Sequence, residues 1–477
     1  MERKNRTQGI LALLLFLFCG EVHGQSIPAP TQDSTHTAFV RAIYSEALSA
    51  KQGHQWLSDL CATVGPRLAC SPGDAAAVKW AKQTLDTLGF DTVYTQTVTG
   101  NTHWIRGDAW ARAHSGGKKI SLSIAALGGS ESTPGGDKGK GLRAQVVEVL
   151  SFQELDDLAA AGKIKGKIVF YNRPMDPTYI NTGSAYGRAV DQRWAGAMEA
   201  SKHGAVAVLV RSMTLSLDDF PHTGVMSYGE EKNKIPAAGI STLDAEALHT
   251  LLAKDPTTEV SLLLGAHTVG TCTSYNVIAE WRGSDKLEEI VVAGGHLDSW
   301  DLGTGAQDDG AGSVQSMHAL YLLKKLGYQP HRTHRVVLFA NEEFGLVGGM
   351  HYAANALEKK EKHALAIESD GGSGSPRGFS FENEVARSAL QKFQPYVAPY
   401  GLLSFSVGGS GADVGQLAGQ GAFLAGLSVD TQRYFDYHHT AQDRIESIHP
   451  RELELGAAAM SALLYLFDAH SPIPSAP

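Results

Sequence analysis

Six residues in the second half of the chain carry side chains that could bind metal ions. They are two histidines, two aspartates and a pair of adjacent glutamates: His296, Asp308, Glu342, Glu343, Asp370 and His439. Imidazole nitrogens and carboxylate oxygens are ligands that suit zinc. Two histidines with three carboxylates can hold two ions when one carboxylate bridges them, and one glutamate is then left over to act as a base. The pattern therefore predicts a site for two zinc ions.

Each of these residues comes shortly after an apolar segment that is typical of a β-strand. Residues 291–295 precede His296, and residues 336–340 precede the two glutamates. Between such segments lie stretches with helical periodicity, and this alternation predicts an α/β fold with a mostly parallel, doubly wound sheet. Ligands of such sheets bind beyond the carboxyl ends of the strands. We therefore expect the six side chains to meet at one edge of the sheet.

Two further aspartates have predicted supporting roles. Asp298 follows His296 by two positions, and residues two apart in an extended chain face the same side. Its carboxylate can therefore orient the His296 ring. In the pair before the next predicted helix, Asp308 could be the bridging carboxylate while Asp309 caps the helix.

Each candidate taken alone also has a common structural explanation. An aspartate before a helix is often only a cap, and Asp370 before two glycines fits a turn. The adjacent acids Glu342 and Glu343 repel each other unless a cation is near. Neighbouring side chains point in different directions, so one of the two can bind metal while the other faces a substrate. The recurrence of such residues at successive strand ends favours the metal site.

The beginning of the chain has the pattern of an export signal. A positively charged segment, residues 3–6, precedes the apolar segment 10–18, which is too short to span a membrane comfortably. We expect residues 1–24 to be removed before Gln25. No later segment has eighteen consecutive apolar residues, so we expect a periplasmic or secreted protein without a membrane span.

Composition excludes several other classes of function. The net charge is −9 and no basic stripe is present, which argues against nucleic-acid binding. No Gly-x-Ser-x-Gly motif occurs, which argues against a serine hydrolase of the α/β-hydrolase type. The glycine-rich segments 371–378 and 408–415 lack the GxxxxGK[ST] pattern of phosphate-binding loops.

Three cysteines remain in the expected mature chain: Cys61, Cys70 and Cys272. An exported compartment permits disulfides. Cys61 and Cys70 are close in sequence, so a local bridge between them is one interpretation, and it leaves one cysteine free. Three reduced thiols are the alternative.

The length of 477 residues allows two or three domains. Residues 25–140 and 265–477 are predicted to form the two parts of a catalytic domain, and the second part carries the candidate site. Residues 141–264 contain none of the candidate ligands and are predicted to form an inserted domain that acts as a lid or selects substrates.

Taken together, these motifs resemble those of the co-catalytic zinc exopeptidases, a family that includes aminopeptidase Y and glutamate carboxypeptidase II. The resemblance covers nearly all of the mature chain. It is carried by five segments: residues 294–301, 308–310, 342–343, 368–370 and 438–439. It implies that residues 141–264 form a protease-associated domain and that the protein is a homodimer.

The resemblance also implies a role for each metal ligand. His296 and Asp370 would bind one zinc ion, and Glu343 and His439 would bind the other. Asp308 would bridge the two ions.

Two catalytic roles are implied in the same way. Glu342 would be the general base that takes a proton from water. His438 stands where relatives often have a tyrosine, and it would donate an N–H to the oxyanion of the transition state. Because adjacent side chains usually point apart, His438 is not expected to bind the same ion as His439.

The expected reaction is hydrolysis of a peptide bond at a chain end, in dipeptides or short peptides. A strict aminopeptidase on longer peptides would use the same core residues. A glutaminyl cyclase would need a single zinc ion, which the five-ligand set argues against. A non-catalytic binding ectodomain would not need the complete set of ligands and base. Zinc content together with dipeptide turnover distinguishes the four interpretations.

Overall fold

Two eight-stranded β-sheets dominate the fold. The computed structural model describes residues 34–470, and the predicted export signal at residues 1–24 lies outside them. The strands in this range are β1 (Thr92–Ile105), β2 (Ala109–Ser115), β3 (Lys118–Leu122), β4 (Ile124–Ala126), β5 (Leu142–Val149), β6 (Ile168–Tyr171), β7 (Ala207–Arg211), β8 (Ala237–Ile240), β9 (Glu259–Leu264), β10 (His267–Trp281), β11 (Lys286–His296), β12 (Arg332–Phe339), β13 (Lys362–Glu368), β14 (Pro376–Phe381), β15 (Ser404–Val407) and β16 (Phe423–Val429). The helices are α1 (Ser34–Ala50), α2 (Gln52–Thr63), α3 (Pro72–Asp86), α4 (Phe152–Ala160), α5 (Thr182–Gly187), α6 (Asp191–Trp194), α7 (Gly196–Lys202), α8 (Thr242–Lys254), α9 (Ala311–Lys325), α10 (Val347–Lys359), α11 (Glu384–Leu390), α12 (Gln394–Val397), α13 (Tyr434–Tyr437) and α14 (Pro450–Ala469).

The first sheet has the strand order β1-β10-β12-β11-β13-β16-β14-β15. Its central strands β12, β11, β13 and β16 run parallel, whereas β10 pairs with β1 and β12 in antiparallel fashion and β14 pairs with β16 in antiparallel fashion. The edge strand β15 is parallel to β14. The sequence predicted a mostly parallel sheet, and the structure shows a sheet with a parallel centre and some antiparallel pairings toward its edges. The reversal at β14 has a simple cause, because residues 369–375 are too few for the crossover that a parallel strand needs.

The central strands are buried on both faces, as a doubly wound sheet requires. Along β11, Val291 and Ala293 pack in one apolar cluster with α9 and α14, while Val292 packs in another cluster with α10. Successive side chains of a strand point to opposite faces, so each face of the sheet receives its own helical layer. Among the helices of residues 34–470, none is long and apolar enough to cross a membrane.

The second sheet has the order β3-β2-β9-β5-β6-β7-β8-β4, with β5 to β8 parallel. It begins at Ala109, well before residue 141, where the sequence predicted the inserted domain to start. The described residues nevertheless form a single compact unit, and the division into domains remains a prediction. We refer to residues 141–264 as the inserted segment.

One disulfide joins Cys70 to Cys272. The local Cys61–Cys70 bridge considered from the sequence is therefore wrong. Cys61 is a buried free thiol on α2, and its sulfur faces the carbonyl oxygen of Thr304 at 4.0 Å. Cys70 lies in the loop before α3, which packs against β10, the strand that carries Cys272. Proximity in the sequence was misleading because α2 directs its cysteine toward the interior.

Candidate metal centre

The carboxyl ends of the parallel strands bring the predicted ligands together. His296 is the last residue of β11, and Asp370 follows β13 by two positions. Asp308 lies in the irregular turn at residues 306–310 that leads into α9. The glutamate pair follows β12, and His439 follows the short helix α13. The edge at which these residues meet is the one predicted from the sequence.

The carboxylate of Asp308 lies between the two histidines. Its Oδ1 is 3.2 Å from Nε2 of His296, and its Oδ2 is 3.1 Å from Nε2 of His439. On the first side, Oδ1 of Asp370 is 3.5 Å from the same nitrogen of His296. On the second side, Oε2 of Glu343 is 3.2 Å from Nε2 of His439. Each histidine thus shares Asp308 and has one further carboxylate of its own.

Two carboxylate oxygens in this group are left without the partners that burial normally demands. Asp308 Oδ2 and Glu343 Oε1 are buried and accept no hydrogen bond from the residues that the structure describes. An unpaired buried carboxylate is costly, and a bound cation removes that cost. Donor atoms of His296, Asp308 and Glu343 all lie within 4.8 Å of one another. Imidazole nitrogens and carboxylate oxygens at this spacing fit zinc.

The electrostatics of the group also call for positive charge. Burial opposes ionisation of Asp308, yet the imidazoles of His296 and His439 beside it hold the pKa of that carboxyl well below its usual range. Burial raises the pKa of Glu343 and of Asp370. For His439, the charges of Glu343 and Asp308 outweigh the effect of burial and raise the pKa to about 9. Without a metal ion, protons would have to neutralise this group of anions.

Asp298 connects the His296 loop to the glutamate pair. Its carboxylate accepts the main-chain N–H of Glu342 at 3.0 Å and that of Glu343 at 3.3 Å. His296 Nδ1 lies 3.1 Å from the carbonyl oxygen of Asp298 and 3.6 Å from its carboxylate. The main-chain carbonyl is thus the nearer partner of the ring, and the carboxylate holds the turn that carries both glutamates.

Asp309 and Asp443 support the turn that contains Asp308. Asp309 accepts the N–H of Gly312 in the first turn of α9 at 2.8 Å, which is the capping interaction predicted for it. Asp443 accepts the N–H groups of Gln307 and Asp308 at 2.6 and 3.2 Å. Asp443 follows His439 by four positions, and this spacing was the sequence signal that could have pointed to a supporting role.

His438 does not point away from His439. The two rings stack with centroids 3.5 Å apart, and Nε2 of His438 is 3.7 Å from Oδ2 of Asp308. The expectation that these neighbours point apart is therefore wrong. Opposite orientation belongs to extended backbone, whereas His439 has a φ of 63° in the left-handed region. Burial and the charge of His439 hold the pKa of His438 well below its usual range, so its ring is neutral.

The inserted segment also reaches the site, through residues that the sequence did not single out. The carbonyl oxygen of Thr223 lies 3.3 Å from Nδ1 of His439, and Nη1 of Arg193 lies 3.5 Å from the same nitrogen. The ring of Tyr186 packs edge-on against His438 at 5.2 Å. A contact through a main-chain carbonyl has no residue-type signature, so no motif could have revealed it.

Comparison with known proteins identifies a family whose match includes these candidate residues. The family model described as peptidase family M28 matches residues 276–464, which include every predicted ligand. Carboxypeptidase Q of Homo sapiens is 35% identical over 431 residues, which are 89% of this chain and 86% of the human protein. The chain belongs to peptidase family M28. As a member of this family it is a metallopeptidase.

Solved structures agree with the M28 assignment. The peptidase M28 precursor from Shewanella amazonensis SB2B superposes with a TM-score of 0.87 at 38% identity, and the match covers 93% of this chain and 100% of that one. BSAP, a zinc aminopeptidase from Bacillus subtilis, has a TM-score of 0.62 at 22% identity, with 89% and 98% of the two chains covered. The second likeness shows the fold alone.

Proposed function

We propose that this M28 peptidase is a binuclear zinc exopeptidase that hydrolyses dipeptides or short peptides at a chain end. The observation that carries the proposal is the carboxylate of Asp308, which lies between His296 and His439 with one oxygen facing each imidazole. A carboxylate in this position is suited to bridge two ions. The similarity to carboxypeptidase Q supports peptide-bond hydrolysis at a chain end.

The distances support two sets of proposed ligands. His296 and Asp370 are proposed to bind one zinc ion, and Glu343 and His439 the other, with Asp308 shared. When bound, a pair of zinc ions lowers the pKa of bound water toward neutrality and polarises the scissile carbonyl.

Glu342 is proposed as the general base. Its side chain is 19% exposed, whereas that of Glu343 is 4% exposed and faces His439. The Glu342 carboxylate also lies farther from the histidines, with Oε2 at 4.0 Å from Nε2 of His296. It is therefore the member of the pair that can meet a substrate and a water molecule. A carboxylate there can take a proton from water and later pass it to the leaving amine.

His438 is proposed to donate a ring N–H to the developing oxyanion. The ring is buried beside Asp308 and neutral, so one of its nitrogens carries a proton that it can donate. A donor fixed in a buried site stabilises charge in the transition state more than in the ground state.

The remaining parts of the proposal concern the whole molecule. The inserted segment is proposed to be a protease-associated domain, and the 1–24 segment a cleaved export signal. The protein is further proposed to act as a homodimer on peptide substrates, as the resemblance to the co-catalytic exopeptidases implies.

Substrate panels on the purified mature protein test the function. Free dipeptides, N-acetylated dipeptides, C-amidated dipeptides and hexapeptides would be compared, with products identified by mass spectrometry. We expect turnover of free dipeptides that a chelator abolishes and zinc restores. Preference for hexapeptides with a free amino terminus would instead establish a strict aminopeptidase. Protein that holds two zinc ions and cleaves none of these substrates would overturn the exopeptidase proposal.

A further inference from the structure

We propose that the inserted segment positions the metal ligand His439, and that it does so through the main chain of Thr223. The inference rests on the proposed function only in taking His439 to be a zinc ligand. It gives the inserted segment a role in metal binding in addition to the substrate selection expected from the sequence.

Thr223 holds both the backbone and the side chain of His439. Its N–H donates to the carbonyl oxygen of His439 at 3.0 Å, and its own carbonyl oxygen lies 3.3 Å from Nδ1 of the ring. Two contacts from one residue fix the position of the histidine backbone and the rotation of its imidazole together. The two residues are 216 positions apart in the chain.

This contact favours the form of the imidazole that can bind a metal, because the Thr223 carbonyl oxygen lies nearer to Nδ1 of His439 than Nη1 of Arg193 does, at 3.3 against 3.5 Å. When Nδ1–H donates to the Thr223 carbonyl, Nε2 keeps its lone pair. Nε2 is the nitrogen that faces Asp308 at 3.1 Å and Glu343 at 3.2 Å. A hydrogen bond to the far nitrogen of a ligating histidine commonly sets its tautomer and ring orientation.

Thr223 is itself held firmly. It is fully buried, and its hydroxyl donates to the carbonyl oxygen of Ala126 at 2.9 Å. The same hydroxyl accepts a hydrogen bond from Nη1 of Arg106 at 3.1 Å. Arg106 in turn forms an ion pair with Asp301, in the loop that follows β11. Thr223 is thus anchored to β4 and, through Arg106, to the loop that follows β11, and its carbonyl is a rigid support for the histidine.

The next residue must be glycine for this support to form. Gly224 has a φ of 130°, and a Cβ there would lie 2.2 Å from Nη1 of Arg193 and 2.8 Å from Nδ1 of His439. A side chain at this position would therefore displace the arginine, the histidine ring, or both. The other candidate histidine ligand, His296, is held by Asp298 and Asp309, which lie outside the inserted segment. Displacing the support should therefore affect one ion and spare the other.

The test uses the full-length mature protein and measures zinc affinity directly. Metal-stripped wild type, Gly224→Ala and a control, Gly162→Ala, would be titrated with zinc against a competing chromophoric chelator. Gly162 also lies in the inserted segment with a positive φ of 71°, but a Cβ there meets no described atom within 4 Å. We expect Gly224→Ala to weaken one of the two zinc sites by about 10–100-fold. The other site, and both sites of the control, should remain within about threefold of wild type.

Thr223 provides a second, milder pair of variants in case Gly224→Ala does not fold. Thr223→Val removes the hydroxyl that bonds Ala126 and Arg106, while Thr223→Ser retains it. We expect the valine variant to weaken the same single site and the serine variant to restore it. Cobalt substitution would show the change as an altered absorption spectrum of one ion.

The outcomes separate this inference from the proposed function. Wild type that binds fewer than two zinc ions would contradict the proposed function itself. Wild type with two sites, combined with Gly224→Ala or Thr223→Val affinities equal to wild type, would overturn the positioning role. Equal weakening of both sites would also overturn it, because a general loss of structure would then explain the result.

Discussion

Replacement of each member of the glutamate pair in turn should separate catalysis from metal binding. Glu342→Gln keeps the shape of the side chain and removes its charge. The Glu342 carboxylate accepts no hydrogen bond from the part of the chain that the structure describes, and its exposed fraction is 19%. The change should therefore cost little stability, within about 0.5 kcal/mol, as for other substitutions that break no buried contact.

The expected kinetic effect follows from the role of a general base. Losing one lowers turnover by about 10²–10⁴-fold, which corresponds to about 3–5 kcal/mol in activation free energy. Zinc content should stay unchanged, because the Glu342 carboxylate is the one farther from the histidines. Glu343→Gln should behave differently, since Glu343 lies 3.2 Å from His439 and is almost fully buried. Its loss should weaken one zinc site by about 10–100-fold or more.

The assay combines dipeptide turnover with zinc analysis by mass spectrometry on the same protein samples. Glu358→Gln, an exposed glutamate on α10, is the matched control and should change neither quantity. If Glu342→Gln lost zinc while Glu343→Gln kept zinc and lost turnover, the assignment within the pair would be refuted.

His438→Ala should lower turnover by about 10²–10³-fold with little change in the Michaelis constant or zinc content, and near-full turnover with both zinc ions bound would make this histidine structural only. Asp468→Ala should lower the free energy of unfolding in urea by about 3–5 kcal/mol, because buried Asp468 accepts hydrogen bonds from Tyr328 and from the main chain of Arg332. A decrease below about 1 kcal/mol would contradict this prediction. Replacing Cys70 and Cys272 by serine should cost about 2–5 kcal/mol by releasing a long loop, whereas Cys61→Ser, which leaves the disulfide intact, serves as the control. The affinity of the metal-stripped protein for zinc should increase as the pH is raised to about 9, because the raised pKa of His439 makes zinc compete with a proton for this side chain. Calorimetric titrations at several pH values would check this, and a pH-independent affinity would contradict it.

Local patterns in the sequence were sufficient to predict the central strands and helices of the first sheet and the candidate residues that follow those strands. The apolar segment at residues 291–295 predicted the buried end of β11, and the alternation of such segments with helical stretches predicted that a helix, α9, follows before the next strand. Such segments can be predicted because side-chain burial repeats every two residues in a strand and every 3.6 residues in a helix. Residues directly after parallel strands meet at one edge of the sheet, so the proximity of His296 and Asp370 to each other was predictable.

Pairings between distant segments were not predictable in this way. The antiparallel edges of the first sheet depend on which strand finds which partner, and β10 with its long pairing to β1 has no strict alternation to indicate it. The partner of Cys70 was hidden for the same reason, since Cys272 is 202 residues away. Register and pairing are set by the fit of whole surfaces, which no local window contains.

The sequence by itself identified which residues could bind metal, because imidazole and carboxylate side chains can bind zinc in many different folds. Only the tertiary structure decided how those residues are oriented. The left-handed backbone at His439 turns two neighbouring rings toward one carboxylate. The Thr223 carbonyl that holds one of these rings is a group that every residue possesses. A contact made by the main chain does not depend on the residue type, so the sequence pattern cannot predict it and only the tertiary structure shows it.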